Sequence, residues 1–205
     1  MTDPRPAEGT PAPLIVIAAG GQGSRMGGDK AGRLLAGRRL IDHAIAWAQR
    51  QGDKVAIAAA PGAVPDAAGL PVLIDRDPQL GPIAALLSAM HHAAALGRGL
   101  VVLIGCDTPF LPDDLIARLG RAIGPAGAAL PRRGGRVQTL AGLWHVDPAG
   151  LARWIAAGGR SPWGYAEATG LVMVDWPEDG DDPFANLNTP DDLALAEARI
   201  RAGAR

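Results

Sequence analysis

Leu14-Ile15-Val16-Ile17-Ala18, followed without a break by Ala19-Gly20-Gly21-Gln22-Gly23-Ser24-Arg25-Met26-Gly27-Gly28-Asp29-Lys30, decides how the rest of the chain is read. Five apolar residues in a row make a strand buried on both faces. Glycines directly after it let the backbone approach a ligand and present its N–H groups. Arg25 and Lys30 place two cations in the same loop. That combination suits a polyanion, and a triphosphate above all. A plain glycine-rich turn between strand and helix would carry the same glycines but would leave the two cations unexplained.

The spacing separates this loop from two others. A P-loop needs Gly-x-x-x-x-Gly-Lys-Ser/Thr. Gly23 and Gly28 have that separation, but Asp29 stands where the lysine belongs. A dinucleotide loop needs Gly-x-Gly-x-x-Gly. Gly21 and Gly23 fit, but Met26 occupies the third position.

Outward from the loop, strand-like runs alternate with helical periodicity. Leu40, Ile41, Ala44, Ile45 and Ala48 recur at helical spacing. Residues 54–59 and 72–74 read as strands, Ile83 to Ala94 as a helix, 100–104 as a second fully buried strand, and 113–123 as a third helix. This order predicts an α/β fold: three layers, with a mostly parallel, Rossmann-like sheet carrying helices on both faces. Residues 126–144, with Gly134-Gly135 at a turn, read as a hairpin-like excursion. Residues 148–157 read as a helix, 158–169 as a loop and 171–175 as a late strand. Thr189-Pro190-Asp191-Asp192 signals a helix start, with Thr189 as N-cap, Pro190 in first position and an acid three residues after the cap.

The chain has 205 residues, 48% of them apolar, and a net charge of −1. One domain over residues 14–205 is expected, preceded by a proline-rich, disordered tail over residues 1–13. No basic run points to nucleic acid, and no apolar run approaches the roughly 18 residues of a membrane span. Cys106 has no partner for an internal disulfide, which fits a reducing, cytoplasmic location.

Strand 100–104 runs into Gly105-Cys106-Asp107-Thr108-Pro109-Phe110-Leu111-Pro112. In open parallel sheets ligands bind beyond the carboxyl ends of strands. An aspartate there can hold Mg²⁺ together with substrate phosphates, or can simply shape a turn before Pro109. Pairing with the glycine loop favours the metal role for Asp107. Asp75, after strand 72–74, can reach a sugar or base, or be a solvated loop acid. Gly81-Pro82 is either punctuation or a helix N-terminus aimed at a ligand. Asn186-Leu187-Asn188 alternates, so both amides share a face.

Three blocks together resemble the molybdenum cofactor guanylyltransferases, the MobA family, over residues 14–200. They are Ala19 to Lys30; Cys106-Asp107-Thr108-Pro109-Phe110-Leu111-Pro112; and Phe184-Ala185-Asn186-Leu187-Asn188-Thr189-Pro190-Asp191-Asp192-Leu193. The first is common to many nucleotidyltransferases. The other two narrow the choice, because molybdopterin cytidylyltransferases usually carry acids where this chain has Asn186 and Asn188. Gly81-Pro82-Ile83-Ala84 is similar to the family's Gly-Pro-Leu-Ala. Ala18, Gly32-Arg33 and Ala85 depart from the family pattern, and Gly32-Arg33 leaves the shape after Lys30 open.

The resemblance implies an Mg²⁺-dependent transfer of GMP from GTP to the terminal phosphate of molybdopterin or its molybdenum form. Arg25, Lys30 and Asp107 would be catalytic. Ala18, Ala19, Gly20, Gly21, Lys30, Asp75, Gly81, Pro82 and Asp107 would hold the nucleotide. Asp107 and Asn188 would hold the metal. Asn186, Asn188, Arg132 and Arg160 would face the pterin, with Arg133 and Arg136 near its phosphate. Transient contacts with cofactor-donating proteins and apo-molybdoenzymes are implied, with no nucleic-acid or membrane partner. Rival readings are a molybdopterin cytidylyltransferase, a sugar-phosphate nucleotidyltransferase, and a non-catalytic nucleotide-binding module.

Overall fold

The computed structural model describes residues 11–19, 31–62, 66–75 and 77–203. β1 (Leu14–Ala18) is buried along its whole length. It pairs in parallel with β4 (Val55–Ala59) on one side and β6 (Leu100–Gly105) on the other. β5 (Val72–Ile74) continues the parallel half beyond β4. On the other flank β9 (Ala141–His145) runs antiparallel between β6 and β7 (Ala128–Arg133), and β10 (Leu171–Asp175) pairs in parallel with β7. The main sheet is therefore ordered β10-β7-β9-β6-β1-β4-β5, and β8 (Arg136–Val137) pairs with β7 off this path. It is mixed and mostly parallel, as expected.

Strand alternation distributes the core between the two faces. Ile15, Ile17, Val102 and Ile104 pack with Ile41, Trp47, Leu115 and Leu119 from α1 (Leu40–Gln51) and α3 (Leu115–Ala122). Leu14, Val16, Val101 and Leu103 pack with Ile83, Leu86, Met90, Leu151 and Tyr165 from α2 (Pro82–Ala95), α4 (Pro148–Ala156) and α5 (Pro162–Thr169). Each fully buried Leu, Ile or Met contributes roughly 1.5–3 kcal/mol, so these two layers dominate the stability.

Two sequence expectations need correction. The segment expected as a loop over 158–169 contains α5. Ser161 caps it by accepting from the Gly164 N–H at 3.1 Å, with Pro162 in the first turn. The 126–144 segment is no excursion, because β7 and β9 lie inside the main sheet. Its hairpin is local: Gly134 and Gly135, with φ of 54° and 75°, join β7 to β8 across the Arg133–Arg136 pair. Both central residues at positive φ match the twist of a two-residue hairpin.

The chain after Lys30, whose shape the sequence left open, forms a two-stranded ribbon. β2 (Leu34–Leu35) and β3 (Arg38–Arg39) are joined through Ala36 and Gly37 at φ of 50° and 78°. A third apolar cluster sits beside it, where Leu35 and Leu40 meet Leu187 and Ala196, the latter on α6 (Pro190–Arg201). At the other end of the molecule, Arg98 donates to the Ala12 carbonyl at 2.7 Å, just before β1.

Candidate nucleotide-transfer site

The parallel register brings the carboxyl ends of β1, β4, β5 and β6 to one edge. Ala18 faces Ala58 and Gly105, and Ala59 faces Ile74. Beyond that edge the chain ends are tied together. Ala19 N–H donates to the Ala58 carbonyl at 2.8 Å, and Cys106 N–H to the Ala18 carbonyl at 3.2 Å. Ala18 and Ala19 therefore lie beside the turn that carries Asp107. Gly20, Gly21, Arg25 and Lys30 lie outside the described residues.

Asp107 is half-buried at the end of β6. The buried Thr108 hydroxyl donates to the Gly105 carbonyl at 3.1 Å and closes the turn beneath it. The Asp107 carbonyl accepts the Leu187 N–H at 3.0 Å. That bond brings a segment some 80 residues distant to Asp107. Leu187 is buried, while Asn186 and Asn188 on either side are exposed, as their alternation predicts. Asn188 N–H and Thr189 N–H both donate to Asp192 Oδ2 at 2.8 Å.

Among the described residues no group of three or more His, Cys, Asp or Glu gathers as an all-protein metal cage. One carboxylate beside an amide-bearing segment fits Mg²⁺, which takes few protein oxygens and completes its shell with water and substrate phosphates.

Asp75 follows β5 at the same edge, with its N–H bonded to the Ala59 carbonyl at 2.9 Å. It is only 4% exposed, so it is not a solvated loop acid. Burial pushes its carboxyl from 3.8 up to about 6, while a hydrogen bond from Ser88 on α2 pulls the other way. Among the described residues its Oδ1 has no hydrogen-bond partner. A buried oxygen left this way is ready for a ligand N–H or O–H. Gly81 precedes α2 at φ 64°, with no side-chain cap on the helix N-terminus. Ser88 was not singled out in the sequence, because its partner is brought close only by the packing of α2 on the sheet.

The expected pterin-side arginines divide. Arg132 forks the Asp175 carboxylate at 2.6 and 2.8 Å, and this raises its pKa. Arg133 donates to the carbonyls of Pro177, Glu178 and Gly180, at 2.8–2.9 Å. Its role is to hold that loop. Arg160 donates to the carbonyls of Ile155, in the last turn of α4, and of Gly159 beyond it, at 3.0 and 2.8 Å. A groove of about 1120 Å³ between α1, residues 109–113 and residues 176–183 is lined by Trp47, Phe110 and Trp176, and not by Asp107 or Asp75. The candidate site lies instead along the sheet edge, where Asp75 and Asp107 follow their strands.

Sequence and fold comparisons identify the relatives of this chain. The model of the MobA-like NTP transferase domain matches residues 15–173. A protein of Cereibacter sphaeroides named molybdenum cofactor guanylyltransferase is 42% identical over 192 residues, covering 92% of this chain and 97% of its own. One of the same name from Acidiphilium cryptum is 44% identical over 190 residues, covering 89% and 93%. Among solved structures, molybdopterin-guanine dinucleotide biosynthesis protein A from Archaeoglobus fulgidus superposes with a TM-score of 0.74 at 21% identity, covering 92% and 99%. The 2-C-methyl-D-erythritol 4-phosphate cytidylyltransferase of Thermus thermophilus gives 0.68 at 22%, covering 91% and 98%. These two likenesses show a nucleotidyltransferase-like fold. With its sequence matched over most of its length, the chain belongs to the MobA-like NTP transferase family.

Proposed function

We propose that the protein transfers GMP from GTP to the terminal phosphate of molybdopterin or its molybdenum form, giving a guanine dinucleotide and pyrophosphate. The reading draws on the names of its relatives. The structural observation that carries it is the 3.0 Å bond from Leu187 N–H to the Asp107 carbonyl. It joins the segment that resembles the guanylyl branch to the backbone of the residue whose carboxylate is proposed to hold the metal.

The chemistry asks little of a base. A phosphate monoester has its second pKa near 6, so the pterin phosphate is largely dianionic at neutral pH. One of its oxygens attacks the α-phosphorus of GTP, the bond to the bridging oxygen breaks, and pyrophosphate leaves. The protein contributes orientation and charge complementarity. Mg²⁺, held by Asp107 and the Asn188 amide oxygen, would neutralise charge on the α-phosphate and the leaving group. Arg25, Lys30 and the glycine loop would surround the triphosphate, Asp75 and the Gly81-Pro82 turn would lie by the sugar or base, and Asn186 and Arg160 would face the pterin. Arg132 can join them by exchanging Asp175 for the pterin phosphate. Residues 14–205 act as one domain. A cytoplasmic location and transient contacts with the cofactor donor and apo-molybdoenzymes complete the proposal. Among the described residues no helix is long and apolar enough to cross a membrane.

The test is pyrophosphate release with molybdopterin and Mg²⁺ from GTP and from CTP. Release from CTP as fast as from GTP overturns the guanylyl assignment. Asp107→Ala should leave less than about a tenth of the activity, since losing a metal ligand costs several kcal/mol of barrier.

A further inference from the structure

We infer that Asp192 is a positioning residue, whose carboxylate fixes the backbone of Asn188 beside Asp107; this rests on the transfer reading above. Residues 184–189 belong to no helix or strand, so individual contacts must set their shape. Leu187 N–H is bound to the Asp107 carbonyl, and the Leu187 side chain is buried against Leu35, Leu40 and Ala196. The next N–H, of Asn188, goes to Asp192 Oδ2 at 2.8 Å, and that of Thr189 goes to the same oxygen at 2.8 Å. In return Thr189 Oγ1 accepts the Asp192 N–H at 3.1 Å.

The exchange between Thr189 and Asp192 is a capping box and serves α6. The bond from Asn188 N–H does not. Asn188 lies outside the helix and before its cap, so its amide is not one of the helix's own open donors. The carboxylate reaches past the cap to Asn188, whose exposed amide directly follows the Leu187 link to Asp107. Such a charge-assisted bond is about twice as strong as a neutral one, and the N-terminal end of α6 favours the ionised carboxylate that accepts it. Asn188 is thus held between the Leu187–Asp107 link on one side and Asp192 on the other.

The two halves of the capping box can be cut separately. Thr189→Ala removes the bond to Asp192 N–H and leaves the carboxylate on Asn188. Asp192→Ala removes both bonds to its oxygen. Both variants of the full chain should melt a few degrees lower than wild type, by similar amounts, as lost caps do. Stabilisation of each by GTP is then followed by thermal shift across an Mg²⁺ titration, alongside KM and kcat.

For Asp192→Ala the Mg²⁺ midpoint should rise about tenfold or more, as for lost supports of a metal ligand, with kcat falling more than KM rises for GTP at saturating Mg²⁺. Thr189→Ala should keep the wild-type midpoint, and Asp192→Glu should recover it, since glutamate serves at this cap position. If Asp192→Ala does not fold, Asp192→Asn, which keeps the shape and loses the charge, should show the raised midpoint. A wild-type midpoint in the Asp192 variant, or an equal rise in Thr189→Ala, overturns the inference. Failure of wild type to release pyrophosphate from GTP would sink the transfer reading instead. The titration, run with whichever nucleoside triphosphate stabilises the protein, would still report on Asp192.

Discussion

Two residues show how small groups set the site. Gly105 has no positive φ, so backbone freedom does not explain its glycine. Space does: a Cβ there would meet the Asp107 carboxylate. Gly105→Ala should therefore displace that carboxylate, lowering kcat at least about tenfold while Tm falls only a few degrees, because one misplaced group costs far more in rate than in packing. Steady-state kinetics beside a melting curve checks this; unchanged turnover would mean the carboxylate has room to move. Asp75 carries a different cost. With its carboxyl raised from 3.8 to about 6 by burial, its ionisation in the folded state costs about 3 kcal/mol. Below pH 4 the group is protonated in both states and nothing is lost. As pH rises through 6 the native protein loses that stability. Asp75→Asn removes the loss, so its advantage over wild type should grow between pH 5 and pH 8, measured by urea unfolding. An advantage that does not change with pH would contradict the assignment. A ligand N–H or O–H on the orphan oxygen favours the ionised form, so GTP should bind wild type more weakly below pH 6.

Among elements, the helix starts carry the clearest lesson. Thr189-Pro190 and Ser161-Pro162 are the same signal, a capping side chain followed by proline in the first turn. The first was legible because Asp192 stands three residues after the cap and completes the capping-box pattern. The second was hidden by Gly158, Gly159 and Gly164 and by the weak amphipathicity of α5, which is buried through Tyr165 and Ala166. Ser161→Ala should cost about 1 kcal/mol, read as a Tm lower by roughly 2–4 °C, with GTP affinity unchanged. The parallel half of the sheet was legible from unbroken apolar runs, because strands buried on both faces need them. The place of β9 was not. An antiparallel strand inserted between β6 and β7 is fixed by register and packing, such as Trp144 against Tyr165, and neither leaves a local pattern. The site divides likewise: Asp107 and the Asn186-Leu187-Asn188 run were visible as strand-end and turn residues. The Leu187–Asp107 bond, the Ser88–Asp75 contact and the use of Arg133 as a loop clamp are tertiary.

At the scale of the molecule, the residues of the proposed site come from distant parts of the chain and lie along one sheet edge. Asp75 follows β5, Asp107 follows β6, and Asn188 arrives through a loop tied to Asp107. A ligand bridging them binds only the folded protein, so its binding energy adds to global stability. At about a hundred times its dissociation constant, Mg²⁺–GTP should stabilise by about 2.7 kcal/mol, a rise of roughly 5–10 °C for a chain of this size. Asp107→Ala should respond far less to Mg²⁺. CTP and ATP at the same concentration should raise Tm much less, because a site that hydrogen-bonds one base edge leaves its own polar groups unpaired by another. In the proposed site Asp75 would be such a group: a buried carboxylate can accept both N–H donors on the edge of guanine, whereas cytosine offers one donor beside two acceptors. Selectivity of at least about a hundredfold in kcat/KM should accompany the thermal difference. Equal shifts with GTP and CTP would show that the edge binds the triphosphate without reading the base, leaving base choice to be made elsewhere in the chain.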